Sequence, residues 1–174
     1  MKKILLPLFF TGTAIMMVVM MYTGKPLNTT AAPQGILNLE FANTAQKVNA
    51  IIDSWVAVTT EDAITAAKQN TYFDFIFLFF YAGFLFLASK KIARQFNNKF
   101  GRAGRTIAII ALAAGGLDVL ENIGMLQSIS GNVSDPMALF TTGASLIKWV
   151  SVLVAVLYVL FGFLAWCYGK LFKK

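Results

Sequence analysis

The sequence predicts an all-α fold: a bundle of four transmembrane helices with a small helical cap on the extracytoplasmic side. Three observations carry that expectation. Hydrophobic residues make up 57% of the chain and charged residues 13%, where soluble domains hold about 45–50% and about 25%. Four apolar runs, residues 4–22, 71–89, 106–129 and 137–168, stand out, and each is near or above the roughly 20 residues that cross a bilayer as a helix. The basic residues gather on one side of those runs. A chain of 174 residues with four such runs makes one integral membrane domain, residues 1–174.

The first run follows Lys2 and Lys3 and could be mistaken for a secretory signal. Its apolar stretch, residues 4–22, exceeds the usual length of about 7–15, and no small-residue site closes it beyond the weak Thr29-Thr30-Ala31-Ala32. It reads as an uncleaved helix. Met16, Met17, Met20 and Met21 lie in it; with no His in the chain and Cys167 far away, they read as packing residues. The single Cys and the lack of His also exclude a disulfide framework or a Cys/His zinc site within one chain.

Residues 23–70 form the one sizeable extramembrane segment. It opens with loop chemistry, GKPLNTTAAPQG. Phe41, Ala45, Val48, Ile52 and Trp55 then recur at helical spacing, and Asn43 suits an N-cap, which predicts an amphipathic helix over 44–57. Its apolar face, Phe41, Val48, Ile52 and Trp55, should be buried either as a lid on the bundle or in the membrane interface. Thr59 and Asp62 fit a capping box, so a new helix is expected near Glu61, running unbroken into the second span.

The second, third and fourth spans each carry polar groups at membrane depth. Asp74 and Tyr81 lie seven residues apart, on one face of the second span. Asp118, Glu121 and Asn122 share a face of the third span, within TIAIIALAAGGLDVLENIGMLQSI. Lys148 lies in the fourth. A carboxylate at the bilayer centre costs about 2.5–3.5 kcal/mol on insertion scales, so these groups must face protein, water, an ion or a ligand. At about 1.5 Å per residue from the basic ends of their helices, Asp118 and Glu121 sit about 20 and about 24 Å deep and Asp74 about 24 Å. Lys148 lies somewhat beyond them, within reach by tilt and side-chain length. The expectation is a polar site between the second, third and fourth helices. Three carboxylates with one ammonium would be net negative, and like charges in a low dielectric disfavour joint ionisation. Such a site suits a proton, a hard cation or a small polar ligand. The plainer reading is a Lys148–Glu121 pair that fixes helix register. Gly115-Gly116 with Ala111, Ala113 and Ala114 offers a surface for close helix packing.

Charge placement predicts orientation. Eleven of the fifteen basic residues lie at the two ends of the chain or within 90–105, with no acidic residue among them. The positive-inside rule puts that side and both termini in the cytoplasm of a bacterial inner membrane. The net charge of +7 therefore calls for no nucleic-acid partner; topogenesis and contact with anionic lipid account for it.

No P-loop, dinucleotide fingerprint, zincin motif or nucleophile elbow is present. Three functions fit the polar residues: a binding or transport protein for a cation, proton or polar ligand; an intramembrane enzyme acting on a lipid or isoprenoid, with Asp118 and Glu121 as acid, base or metal ligands; or an accessory subunit of a membrane complex. Transport by so small a chain, with no evident inverted repeat, would require a homo-oligomer. No cofactor is indicated.

The segments GILNLEFA (35–42) and IIDSW (51–55), Asp74 with Tyr81, LDVLEN (117–122) and Lys148 with Tyr158 together resemble an uncharacterised family of small four-helix bacterial inner-membrane proteins. The resemblance adds Glu40 and Trp55 to the candidate binding residues. It implies no reaction.

Overall fold

The computed structural model describes residues 4–172, with the backbone only at 58–62 and 172. The described chain is helical throughout its ordered elements. α1 is Leu5–Gly24, α2 Ile36–Glu40, α3 Ala45–Ala93, α4 Lys99–Ile129 and α5 Asp135–Phe172, with a 3-10 turn at Lys25–Leu27 after α1. Four helical stretches are long and apolar enough to cross a membrane: Leu5–Leu27, Ala63–Ala93, Lys99–Ile129 and Asp135–Leu171.

α3, α4 and α5 pack against one another, whereas α1 packs mainly on α3. The α1–α3 contact is a pair of reciprocal notches. The Phe80 ring occupies the space a side chain on Gly12 would fill, and the Phe9 ring does the same at Gly83. Asn70 ties the far end of α1, donating to the Met20 carbonyl (3.0 Å) and to Thr23 (2.7 Å). The methionines behave as apolar residues: Met16 is buried while Met17 and Met21 are exposed on the outer faces of α1. Gly115 brings α4 against Ala82, and its neighbour Gly116 faces open space.

The helix ends follow from local chemistry. Asn98 caps α4 by accepting from the Phe100 and Gly101 amides. α4 ends in a Schellman motif: Gly131 takes φ +94°, its N–H reaches the Ser128 carbonyl (3.0 Å) and the Asn132 N–H the Gln127 carbonyl (3.0 Å). α3 begins at Thr44, whose side chain accepts from the Lys47 amide. That is one residue past the Asn43 cap predicted; Asn43 instead accepts from the Lys47 ammonium (2.9 Å).

The largest departure from expectation is that α3 is one helix of 49 residues. The predicted break before Glu61 is absent from the backbone, and the side chains of the capping box at Thr59 and Asp62 lie outside the described residues. Contacts of Asp74 with Asn122 and Tyr81 with Asp118 set α3 antiparallel to α4, and Ala67 and Ile129 share a core cluster. A straight helix would carry Ala45 about 30 Å past that level. Instead the Ala45 amide donates to Asp135 at the start of α5 (2.6 Å). The axis therefore turns between the amphipathic part and the spanning part while helical hydrogen bonding continues.

The turned segment, α2 and the ends of α4 and α5 enclose an apolar core of Leu27, Leu39, Val48, Ile51, Trp55 and Met125, among others. The predicted apolar face is shifted: Val48, Ile51 and Trp55 are buried, Ile52 is half-buried, and Phe41 is 40% exposed because it follows the last residue of α2 and Ala42 points inward in its place. Trp55 donates to the Leu27 carbonyl (2.8 Å), which pins the loop after α1 to α3. A second apolar layer lies deeper in the bundle, built from Tyr81, Ala82, Leu85, Ala111 and Ala155.

Candidate functional site

The site sits between these two apolar layers. Glu121 and Asp118 project from the buried face of α4, and Lys148 from the facing side of α5. The Lys148 ammonium lies 2.9 and 2.8 Å from the two oxygens of Glu121 and 3.1 Å from Asp118 Oδ1. It also lies 3.4 Å from Glu40 Oε2. All four side chains are buried, Glu121 completely. Three carboxylates thus converge on one cation, and the ammonium occupies the centre that an external cation would take.

A second ring of groups orients the first. Tyr81 on α3 donates to Asp118 Oδ2 (2.6 Å), so each Asp118 oxygen has its own partner. Trp149 donates from Nε1 to Glu40 Oε2 (3.0 Å). The Glu40 carbonyl accepts from Thr142 (3.1 Å) and Ser145 (3.3 Å). α5 therefore grips one residue of α2 through Thr142, Ser145, Lys148 and Trp149. These contacts lie about 10–20 Å in from the start of α5, so α2 is wedged into the bundle beside the cluster. Gly124 makes room for this packing: the Thr141 hydroxyl occupies the space a side chain there would need.

Asp74 stands apart. It is half-buried and accepts from Asn122 Nδ2 (2.7 Å), and its link to the lysine runs through α4 rather than by direct contact. Asp74 makes no direct hydrogen bond to Asp118 or Glu121; Asn122, next to Glu121 in the chain, takes its carboxylate on the neighbouring strip of α4. The Asn122 carbonyl oxygen is buried without a hydrogen-bond partner.

The eight candidate residues therefore divide. Glu40, Tyr81, Asp118, Glu121 and Lys148 form one connected cluster; Asp74 and Asn122 form a satellite pair. Trp55 lies apart from both, in the apolar core around Leu27. Sequence reasoning missed Thr142, Ser145 and Trp149. Thr142 and Ser145 had a signal, a polar strip at helical spacing of Thr141, Thr142, Ser145 and Lys148 inside an otherwise apolar span. Among the described residues, no group of three or more His, Cys, Asp or Glu side chains is arranged to hold a metal ion.

No protein-family model matches this chain, and neither a curated protein nor a solved structure matches it.

Proposed function

We propose that this chain is an integral protein of the bacterial inner membrane whose Lys148-centred cluster binds a proton. The observation that carries the reading is the count of charges in a buried site: Glu40, Asp118 and Glu121 share the single Lys148 ammonium. One cation leaves two negative charges over if all three carboxyls ionise. Charges in a low-dielectric interior are costly unless compensated, and lysine already fills the central cation position. A proton on one carboxyl oxygen cancels one of the two without new space, and hydrogen-bond donors face the carboxylates that stay ionised. Tyr81 and Trp149, donors to Asp118 and Glu40, then hold the ionised oxygens while the proton resides on the third carboxyl.

With the basic end facing the cytoplasm, the cluster lies in the outer half of the bilayer. The layer of Tyr81, Leu85, Ala111 and Ala155 separates it from the basic end, which favours exchange from the α2 side over conduction through the bundle.

Infrared difference spectroscopy of the full chain in nanodiscs tests this reading. Across the pH range in which the protein stays folded, wild type should show a carboxylic-acid C=O band that comes and goes with pH. Glu121→Gln, Glu40→Gln or Asp118→Asn should remove or shift it. A spectrum without such a band in wild type overturns the reading.

A second reading rests on the contacts by which Lys148 joins α2, α4 and α5. In it the cluster serves assembly alone, locking α2 onto α5 and fixing the register of α3 to α5. The same variants would then lower thermal stability in detergent and leave the carboxylic-acid region unchanged.

A further inference from the structure

At the opposite end of the molecule the turn between α3 and α4 forms an open surface cavity of about 370 Å³ lined by Phe96, Asn97, Asn98, Arg102 and Arg105, of which only Phe96 is partly buried. Arg102 and Arg105 are three residues apart on one face of α4. Neither guanidinium has a carboxylate partner among the described residues, and none is near in the chain: no Asp or Glu occurs in residues 75–117 or 136–172. The aromatic wall is held from behind. Phe96 packs edge-on against Phe100 (5.0 Å between ring centres), and Phe100 stacks on Tyr158 (4.6 Å). The Tyr158 hydroxyl donates to the Phe100 carbonyl (3.3 Å) and fills the space beside Gly104, while Gly101 lets the Phe96 carbonyl sit against α4. The first amides of α4 are already taken by Asn98, so the positive character comes from the two arginines.

We propose that this cavity binds the headgroup of an anionic phospholipid. A phosphodiester matches the paired guanidiniums, which bind phosphate through several parallel charge-assisted hydrogen bonds. Phe96 supplies an apolar wall for the glycerol and the first acyl carbons, a feature that a free phosphate ion would leave unused. The cavity also lies where the spanning segments Ala63–Ala93 and Lys99–Ile129 meet, the level at which headgroups sit. This inference is independent of the proton-binding reading.

The test is native mass spectrometry of the full chain released from detergent, with phosphatidylglycerol, phosphatidylcholine or inorganic phosphate added. Wild type should retain one phosphatidylglycerol in preference to phosphatidylcholine, and phosphate at millimolar concentration should not displace it. Each basic residue near an anionic headgroup is worth about fivefold in affinity. Arg102→Gln with Arg105→Gln should therefore weaken retention by at least about tenfold, whereas Lys25→Gln with Lys47→Gln, which removes the same charge at the other end of the molecule, should change it by less than about twofold. Equal weakening in the two double variants would overturn a defined site in favour of diffuse attraction. Displacement by phosphate would overturn the lipid as ligand. Thermal unfolding of each variant without added lipid identifies any that fails to fold; the single variants Arg102→Lys and Arg105→Lys, which keep charge and lose the planar fork, then carry the test, with weaker retention expected and unchanged retention overturning it.

Discussion

Lys148 is the residue on which the buried chemistry turns. Its ammonium is the shared partner of Glu40, Asp118 and Glu121, so removing it leaves all three without a cation and Glu121 without any donor. Breaking a buried ion pair from one side costs about 3–5 kcal/mol, and Lys148→Met should lower the melting temperature in detergent far more than Glu121→Gln, which keeps shape and leaves Lys148 two carboxylates. A melting curve for Lys148→Met equal to that of wild type would remove the cluster from any account of stability. Tyr81→Phe deletes only the donor to Asp118 Oδ2; leaving a buried acceptor without its donor costs about 1–3 kcal/mol, a smaller shift on the same instrument. The cluster was legible in the sequence for a plain reason. Lipid cannot solvate a carboxylate, so Asp118 and Glu121 had to find partners, and Lys148 was the one cation at a similar depth. Trp149 was not legible, because an indole in a membrane span is ordinary; that its N–H is directed at Glu40 depends on where α2 lies.

At the scale of elements, α2 and the turned part of α3 are what the bundle adds to four plain spans. α2 has five residues, too few to be stable alone. It holds its place through Leu39 in the apolar core and through Glu40, gripped by α5. Glu40→Ala removes the carboxylate contacts with Lys148 and Trp149 while the backbone bonds to Thr142 and Ser145 remain. Amide hydrogen exchange over residues 36–42 should accelerate in this variant while exchange in the middle of α4 stays as in wild type; an unchanged rate over 36–42 would show that the apolar contacts alone hold α2. The end of α4 offers a second measurement. Gly131 has φ +94°, a conformation that costs a residue with a Cβ about 1 kcal/mol, so Gly131→Ala should lower stability by about that amount although nothing lies within 4 Å of the added carbon. The amphipathic segment was foreseeable from its spacing. Its continuity with the second span was not, because Thr-Thr-Glu-Asp reads equally as a cap or as the interior of a helix. Only the neighbours, Asp135 at one end and the α4 register at the other, decide that the axis turns without ending.

The whole molecule is polar in charge distribution: a basic end without a carboxylate, and a capped end that holds every acidic residue outside or within the spans. That asymmetry predicts the topology. Six basic residues within 90–105 oppose translocation, so the turn at residues 94–98 should face the cytoplasm. Asn97→Cys, combined with Cys167→Ser, should resist a membrane-impermeant maleimide added to intact cells and react after permeabilisation; labelling of intact cells would reverse the assignment and place the Lys148 cluster in the inner half of the bilayer.

The sequence by itself determined the class of the molecule. Apolar runs of spanning length, basic residues on one side and carboxylates that lipid would not tolerate are local properties, each readable from composition and helical periodicity without knowing the neighbours. It also determined that Asp118, Glu121 and Lys148 would meet, since each must satisfy its charge inside the protein. Only the tertiary structure decided the rest. It placed Glu40, at the end of the short helix α2, against a lysine 108 residues away, it paired Asp74 with Asn122, and it sent Trp55 to the apolar core. Those outcomes depend on how a five-residue helix is wedged between spans and on where a long helix turns, and both are set by packing between segments distant in the chain.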